Sequence, residues 1–422
     1  MKNLLWFLLI LTAPARAQEP VQLETVLSQA ALHYPLSRQR DLVNESRHFS
    51  LAALNRAYLP QLNINGQATY QSAVTELPIK IPLPGFEMES PDKDQYKVVA
   101  DVSQVVYDGG AIYRQKGVQK TSARVEQEKI NVEMQKMRER VRQLFLGVLM
   151  LDEQVQQITL VDADLQSGIK RMESAVKNGS AFRSQLAQLR AEELKNNQRR
   201  TELLNTRRTL LKTLSLFTGI EFADDTRFMK PAISHSFGNT FSLQRPELGL
   251  FMAQDSMVAA QGKLIGSKSL PKLSLFAQGG YGRPGLNMLD NDFAWFYLAG
   301  ARLSWNLGAL YSLHAERKVN RISRSSLQIQ KELYLLNANI TVEQYRNEME
   351  KYQKLLLDDA GILSLREEIM NASRAQLQNG LITAADYLRD VHAADQARQA
   401  ELLHRLQLLQ VQLDYTDYIS QP

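Results

Sequence analysis

Proline spacing constrains this chain more than any other feature. Between Pro91 and Pro231 lie 139 residues without proline, and between Pro284 and Pro422 lie 137. Proline inside a helix removes a hydrogen bond and clashes with the preceding turn, at about 3 kcal/mol. Two proline-free runs of matched length therefore predict two long helical regions. Apolar residues recur in them at three- and four-residue steps: Val141, Leu144, Val148, Leu151, Val155 and Ile158 in the first, Leu327, Leu333, Leu336 and Ile340 in the second. Stripes of that period pack helix against helix in the manner of a coiled coil.

Each run contains one Asn-Gly pair, Asn178-Gly179 and Asn379-Gly380. Both residue types tolerate the left-handed backbone that ends a helix. Ser180 and Leu381 follow the pairs, and Thr383 is placed to cap a new helix with Asp386 three residues on. Each run thus reads as a long arm, a tip and a return helix. The arms are expected at about 110–178 and 308–379, the returns at about 181–216 and 381–418. At 1.5 Å per residue an arm reaches about 100 Å, far beyond a globular core, and a return helix covers roughly half of it.

The chain also repeats itself. VKNGSAFRSQLAQLRAEE, from Val176, resembles LQNGLITAADYLRDVHAA, from Leu377; YLPQLNINGQATY, from Tyr58, resembles SLPKLSLFAQGGY, from Ser269. The order is the same in both halves: Leu-Pro, alternating segment, glycine, long helix, Asn-Gly, return helix. A duplication is the economical reading. It divides the chain into a first repeat at 18–216, an irregular link at 217–245 rich in Gly, Pro, Asp and Ser, and a second repeat at 246–422.

The alternating segments predict four strands, at about 61–72, 94–107, 271–282 and 292–307. In the last, Phe293, Trp295, Tyr297, Ala299, Ala301, Leu303, Trp305 and Leu307 share one face, with Gly300, Arg302, Ser304 and Asn306 on the other. Leu62, Ile64, Ala68 and Tyr70, then Tyr96, Val98, Ala100, Val102 and Val106, then Leu273, Leu275, Ala277 and Tyr281, alternate likewise. Period two with one apolar side means either a soluble sheet packed on one face or a membrane barrel facing lipid. Aromatic residues toward the strand ends, Trp295, Tyr297 and Trp305 among them, suit a lipid-facing girdle. Gly109, Gly110 and Gly308 stand where strand gives way to helix.

Residues 1–17, MKNLLWFLLILTAPARA, have a positive start, a short apolar core and an Ala15-Arg16-Ala17 cleavage pattern. They predict a cleaved secretory signal peptide, too short to span a bilayer. No cysteine occurs anywhere, which excludes disulfides, thiolate metal sites and a lipidated cysteine. The formal charge of +5 falls to +3 without Lys2 and Arg16, too weak for a nucleic-acid binder of this length. Later segments lack eighteen consecutive apolar residues, which on the sequence excludes a spanning helix but leaves a β-barrel open. Four strands cannot close a barrel, since the smallest bacterial ones have eight. If they enter a membrane, several subunits must share one barrel, and three would supply twelve strands. The six histidines show no metal spacing, Asp224-Asp225 reads as a turn, and no phosphate loop or Ser/His/Asp signature appears. Neither an enzyme nor a cofactor is expected.

At this point the residues resemble a known family. Leu59-Pro60 before the first strand, VVYDGG at Val105–Gly110, Arg245-Pro246-Glu247 and NGLITAADYL in the second tip are similar to the TolC-type outer membrane efflux channels, in order and spacing across essentially the whole chain. The resemblance implies a mainly α fold with a transmembrane β-barrel: a homotrimer with four strands per subunit in a shared 12-stranded barrel, continued by a long coiled-coil α-helical tunnel across the periplasm. It implies localisation in the bacterial outer membrane, contact with outer membrane lipid, and service to a tripartite efflux or type I secretion system. The partners would be a periplasmic adaptor (membrane fusion) protein and an inner membrane pump of RND, ABC or MFS type, with no nucleic acid. Asn178, Gly179, Ser180, Asn379, Gly380, Leu381 and Thr383 become expected tip and adaptor-docking residues. Asp386 and Arg389 become candidates for the pore constriction, where the family's familiar members carry two aspartates three residues apart; Arg389 departs from that pattern. The loop at about 73–93, with four prolines, is expected outside the cell. An exported structural coiled coil without a pore is the alternative, and a periplasmic binding or adhesive module the third reading.

Overall fold

The computed structural model describes residues 20–74, 92–232, 243–288 and 290–419. The expected leader at 1–17, most of the loop at 73–93, the middle of the link at 217–245 and His235 lie outside them. The described elements are α1 (Leu23–His33), α2 (Leu36–Arg56), β1 (Gln61–Tyr70), β2 (Asp94–Tyr107), α3 (Ala111–Lys177), α4 (Arg183–Thr218), α5 (Pro246–Ser267), β3 (Lys272–Arg283), β4 (Ala294–Ser304), α6 (Ala309–Gln378) and α7 (Ala384–Ile419). The series α2–β1–β2–α3–α4 recurs as α5–β3–β4–α6–α7. The long helices have 67 and 70 residues and the return helices 36 each. The sequence reading does not announce α1 or α2: α1 is short, and α2 fully buries no residue.

The chain forms two compact units. One comprises Arg38–Asn131 and Pro246–Tyr334 and holds the sheet. Its strands lie antiparallel in the order β1-β2-β3-β4. The register puts the apolar positions side by side: Ile64 faces Ala100, Val98 faces Tyr281, and Tyr281 faces Trp295. One face is therefore continuous in Leu, Ile, Val, Ala, Tyr and Trp, and it is bare: Trp295 and Tyr297 are 82% and 84% exposed. The other face is mainly polar and self-bonded, with Asp101 accepting from Asn65 at 2.9 Å and from Gln278. A register shift between Val105 and Tyr107 leaves Val106 without a ladder partner and sets Tyr107 opposite Leu273. Simple alternation puts Val106 in that place; the bulge passes it to Tyr107.

The two strand-to-helix junctions are built differently. Asp108 is buried and caps α3, accepting from the Gly110 amide at 2.8 Å and the Ile112 amide at 2.6 Å. Gly109 and Gly110 both have positive φ, +70° and +77°. A Cβ on Gly109 would stand 2.6 Å from that of Leu270. Gly308, at the second junction, stays outside the left-handed region. There Trp305, one residue beyond β4, donates its indole N–H to the Ser269 carbonyl at 3.0 Å, tying the exit of β4 to the entry of β3.

The other unit, made of the described parts of Met1–Ser37, Val132–Arg245 and Leu335–Pro422, is helical. Its core joins Val26 and Ala30 of α1, Val141, Phe145 and Val148 of α3, Leu211 and Leu214 of α4, and Leu406 of α7. α3 carries an 18-residue window of mean hydropathy 1.2, and these buried residues show that its apolar side faces the core. The buried Arg142 is clasped by Asp414 and Asp417, each at 2.8 Å, and Gln135 donates to Asp417 at 2.7 Å. Burial pushes the Asp414 carboxyl up from its ordinary value, against the pull of Arg142. The link after α4 is pinned: Arg207 donates to the carbonyls of Asp224 and Thr226, both at 2.7 Å, and Val21 bonds both ways around Phe228. Asp224 is a turn residue paired with Arg208 at 2.6 Å.

Gly109→Ala forces a side chain into a left-handed backbone and against Leu270, at a cost of about 1–3 kcal/mol. Gly66→Ala, with nothing within 4 Å of its Cβ, serves as the control. Thermal unfolding of the purified protein is expected to show a clearly lower midpoint for Gly109→Ala than for Gly66→Ala.

Candidate functional site at the helix tips

Both tips end their arms in the same way. Gly179 and Gly380 have φ of +72° and +71°. The Ser180 amide reaches back to the Ala175 carbonyl at 2.9 Å and Gly179 to Val176 at 3.1 Å; Leu381 reaches Gln376 at 2.9 Å and Gly380 reaches Leu377 at 3.1 Å. These are paired Schellman caps, which need an achiral residue at the turning point. Asn178, Ser180 and Asn379 are exposed around them. One large apolar side chain stands out from each tip, Phe182 at 77% and Leu381 at 73% exposure.

The second tip carries a further device. The Asp386 amide bonds Thr383 Oγ1 at 3.2 Å, the Thr383 amide bonds Asp386 Oδ2 at 3.3 Å, and the Thr383 hydroxyl donates to the same oxygen at 2.7 Å. This is a capping box with aspartate in the usual glutamate position. The first tip has Phe182 at its cap and no side-chain cap at all. The hydrogen bonds from Thr383 hold the Asp386 carboxyl below its ordinary value of 3.8, with Arg389 adding a smaller pull.

Arg389 is exposed and lies between two carboxylates, 3.5 Å from Asp386 and 3.6 Å from Asp390. The structure brings Asp386 and Arg389 together within one subunit. Asp390 is more sheltered and accepts from the buried Ser373 hydroxyl of α6.

Both tips share one apolar cluster, including Leu165 and Met172 of α3, Leu189 of α4, Met370 of α6, and Tyr387 and Val391 of α7. Beside it, Arg374 of α6 reaches Asp164 of α3 at 2.6 Å, next to Tyr387 of α7. These residues line a cavity of about 60 Å³ together with Gly168 and Leu377. Burial holds the Tyr387 phenol above its ordinary value, with Arg374 opposing. Arg374 thus fastens α6 to α3 where Tyr387 of α7 packs. Sequence reasoning missed this cluster, because Asp164 and Arg374 lie 210 residues apart and carry no local signal.

No protein-family model and no curated protein sequence matches the chain. Solved structures do. The outer membrane protein VceC from Vibrio cholerae matches with a TM-score of 0.70 at 12% identity, over 94% of this chain and 95% of that one. The outer-membrane channel OprN matches at 0.71 and 12%, over 94% and 89%. CusC, described for its transmembrane channel formation, matches at 0.70 and 15%, over 95% and 92%. The chain has the TolC-type fold. Within this fold the two Asn-Gly hairpins are the turns between each long helix and its return helix.

Thr383→Ala removes a cap worth about 1 kcal/mol, so amide exchange at Asp386 and Tyr387 is expected to quicken roughly fivefold while the core of α7 is unaffected. Because the Asp386 carboxyl is depressed, its contribution is present above the unfolded value and is lost as pH falls through the lower folded one. Exchange at these amides, corrected for intrinsic rate, should be flat from pH 7 to 5 and rise only below its ordinary value of 3.8.

Proposed function

We propose that the chain is the outer membrane channel of an export system, conducting solutes passively from an inner membrane pump and a periplasmic adaptor to the outside. The observation that carries this reading is the sheet. It has a bare apolar face, a polar face and two edges without a strand partner among the described residues, on a chain of TolC-type fold. In lipid an open edge leaves backbone groups unsatisfied, so the strands require partners. Three copies placing β4 beside the next β1 would make a closed 12-stranded barrel, antiparallel throughout because each copy contributes an even number of strands. The proposed homotrimer would set the tips around one axis.

In this reading the two Asn-Gly turns, with Phe182 and Leu381 beside them, form the adaptor-facing surface. Asp386 and Arg389 of each copy line the constriction. Opening is a two-state repacking of the tip helices, resisted by the Asp164–Arg374–Tyr387 fastening. Residues 1–17 serve as the cleaved export signal, and the role needs no catalysis. A pore-free structural coil has no use for a bare apolar sheet face of this extent.

The test is single-channel recording from purified protein in a planar bilayer. Discrete, uniform current steps are expected, small in the wild type and larger or more often open in Arg374→Ala. Silence in both proteins, together with release from membranes by an alkaline wash, would overturn the reading.

A further inference from the structure

The polar face of the sheet carries an arrangement that closure of a barrel does not require. Phe276 of β3 is in register with Gly300 of β4, and Phe296 of β4 with Gly280 of β3. Each ring lies over the glycine opposite. A Cβ on Gly300 would come within 3.2 Å of the Phe276 ring, and one on Gly280 within 2.7 Å of the Phe296 ring. The missing side chains let both rings lie down on the wall instead of standing out from it.

A cation covers each ring. The Arg302 guanidinium is 4.8 Å from the Phe276 centroid, and Lys97 Nζ is 5.5 Å from that of Phe296. Both are within cation–π range. The acid of this face, Asp101, is taken by Asn65 and Gln278. Near the strand ends Asp92 and Asp94 hold Arg283, at 3.0 Å and 2.6 Å. Among the described residues Lys97 and Arg302 form no ion pair. Between the two rings along β4 stands Leu298, 47% exposed on the same polar face. An apolar platform is thus bounded at each end by a cation that forms no ion pair among the described residues, while the Asp101 carboxylate is held by two neutral amides.

We infer that Lys97, Arg302, Phe276, Phe296 and Leu298 form a binding strip for aromatic anions. A sulfonate or carboxylate group would take the cations, and a flat apolar body would rest on Leu298 and the ring edges. An aliphatic anion gains only the first contact, and a cation is repelled. The strip's position on the inner wall of a pore rests on the channel reading above. Repeated in three copies, it would give the barrel a preference for organic anions independent of the charges at the tips.

Calorimetric titration of purified protein in a neutral detergent tests the strip without any current. Naphthalene-1,5-disulfonate, too polar to enter micelles, is expected to bind more tightly than propane-1,3-disulfonate, and a naphthalene bis-ammonium salt not at all. The pair Lys97→Gln and Arg302→Gln should weaken the aromatic anion about tenfold or more. Equal binding of all three probes by the wild type, no binding of the aromatic anion, or binding unchanged in the double variant would overturn the inference. In a bilayer the same anion, added from the barrel side, should block wild-type current and spare the double variant. A pore that conducts but is blocked equally in both would sink the strip alone, whereas absence of any pore would sink the channel reading and leave calorimetry to decide the strip.

Discussion

A four-stranded sheet ends in two edges, at β1 and β4, whose outward backbone N–H and C=O groups meet no further strand among the described residues. In water such edges are tolerable; in hydrocarbon each unpaired group costs several kcal/mol. In the proposed channel the apolar face of this sheet lies in hydrocarbon, where Trp295, Tyr297, Leu62 and Ile64, exposed in the single chain, meet lipid. The two facts together demand partners at β1 and β4. The proposed trimer is the arrangement that answers both with a single repeated contact.

The two strand pairs that make the sheet come from two halves of the same element order, yet the halves differ where they turn. The first junction uses a buried Asp108 and two left-handed glycines, and the second relies on the Trp305 indole. The first tip has no side-chain cap, while the second has the Thr383–Asp386 box and the adjoining Arg389. A doubled chain assembled in threes would alternate two unlike tips around its axis. In the proposed channel the second tip, where Thr383 holds the Asp386 carboxyl below its ordinary value and Arg389 stands 3.5 Å from it, would set the charge of the constriction.

Much of this architecture is legible in one dimension because it is periodic. Two proline-free runs foretell α3 and α6, and alternation foretells the faces of β1 to β4, since burial of one side only repeats every second residue. The Asn-Gly pairs announce left-handed turns for a local steric reason. What escapes has no period. The bulge at Val106 shifts one residue within an intact pattern. The Asp164–Arg374–Tyr387 fastening and the Arg142 clasp join residues distant in sequence, so only packing reveals them. The flat phenylalanines over Gly280 and Gly300 follow from register, which the sequence does not specify by itself.

The central claim is that separate copies complete the sheet edge to edge. Because the chain has no cysteine, a disulfide can be introduced without background. Ile64→Cys on β1 would be combined in turn with Tyr297→Cys, Ala299→Cys or Ala301→Cys on β4, and membranes oxidised before denaturing electrophoresis. The account predicts that one register gives covalent dimers and trimers and nothing larger, and that either cysteine alone gives none of this ladder. Membrane-embedded protein that stays monomeric at every register, or a ladder that runs past three, would contradict it.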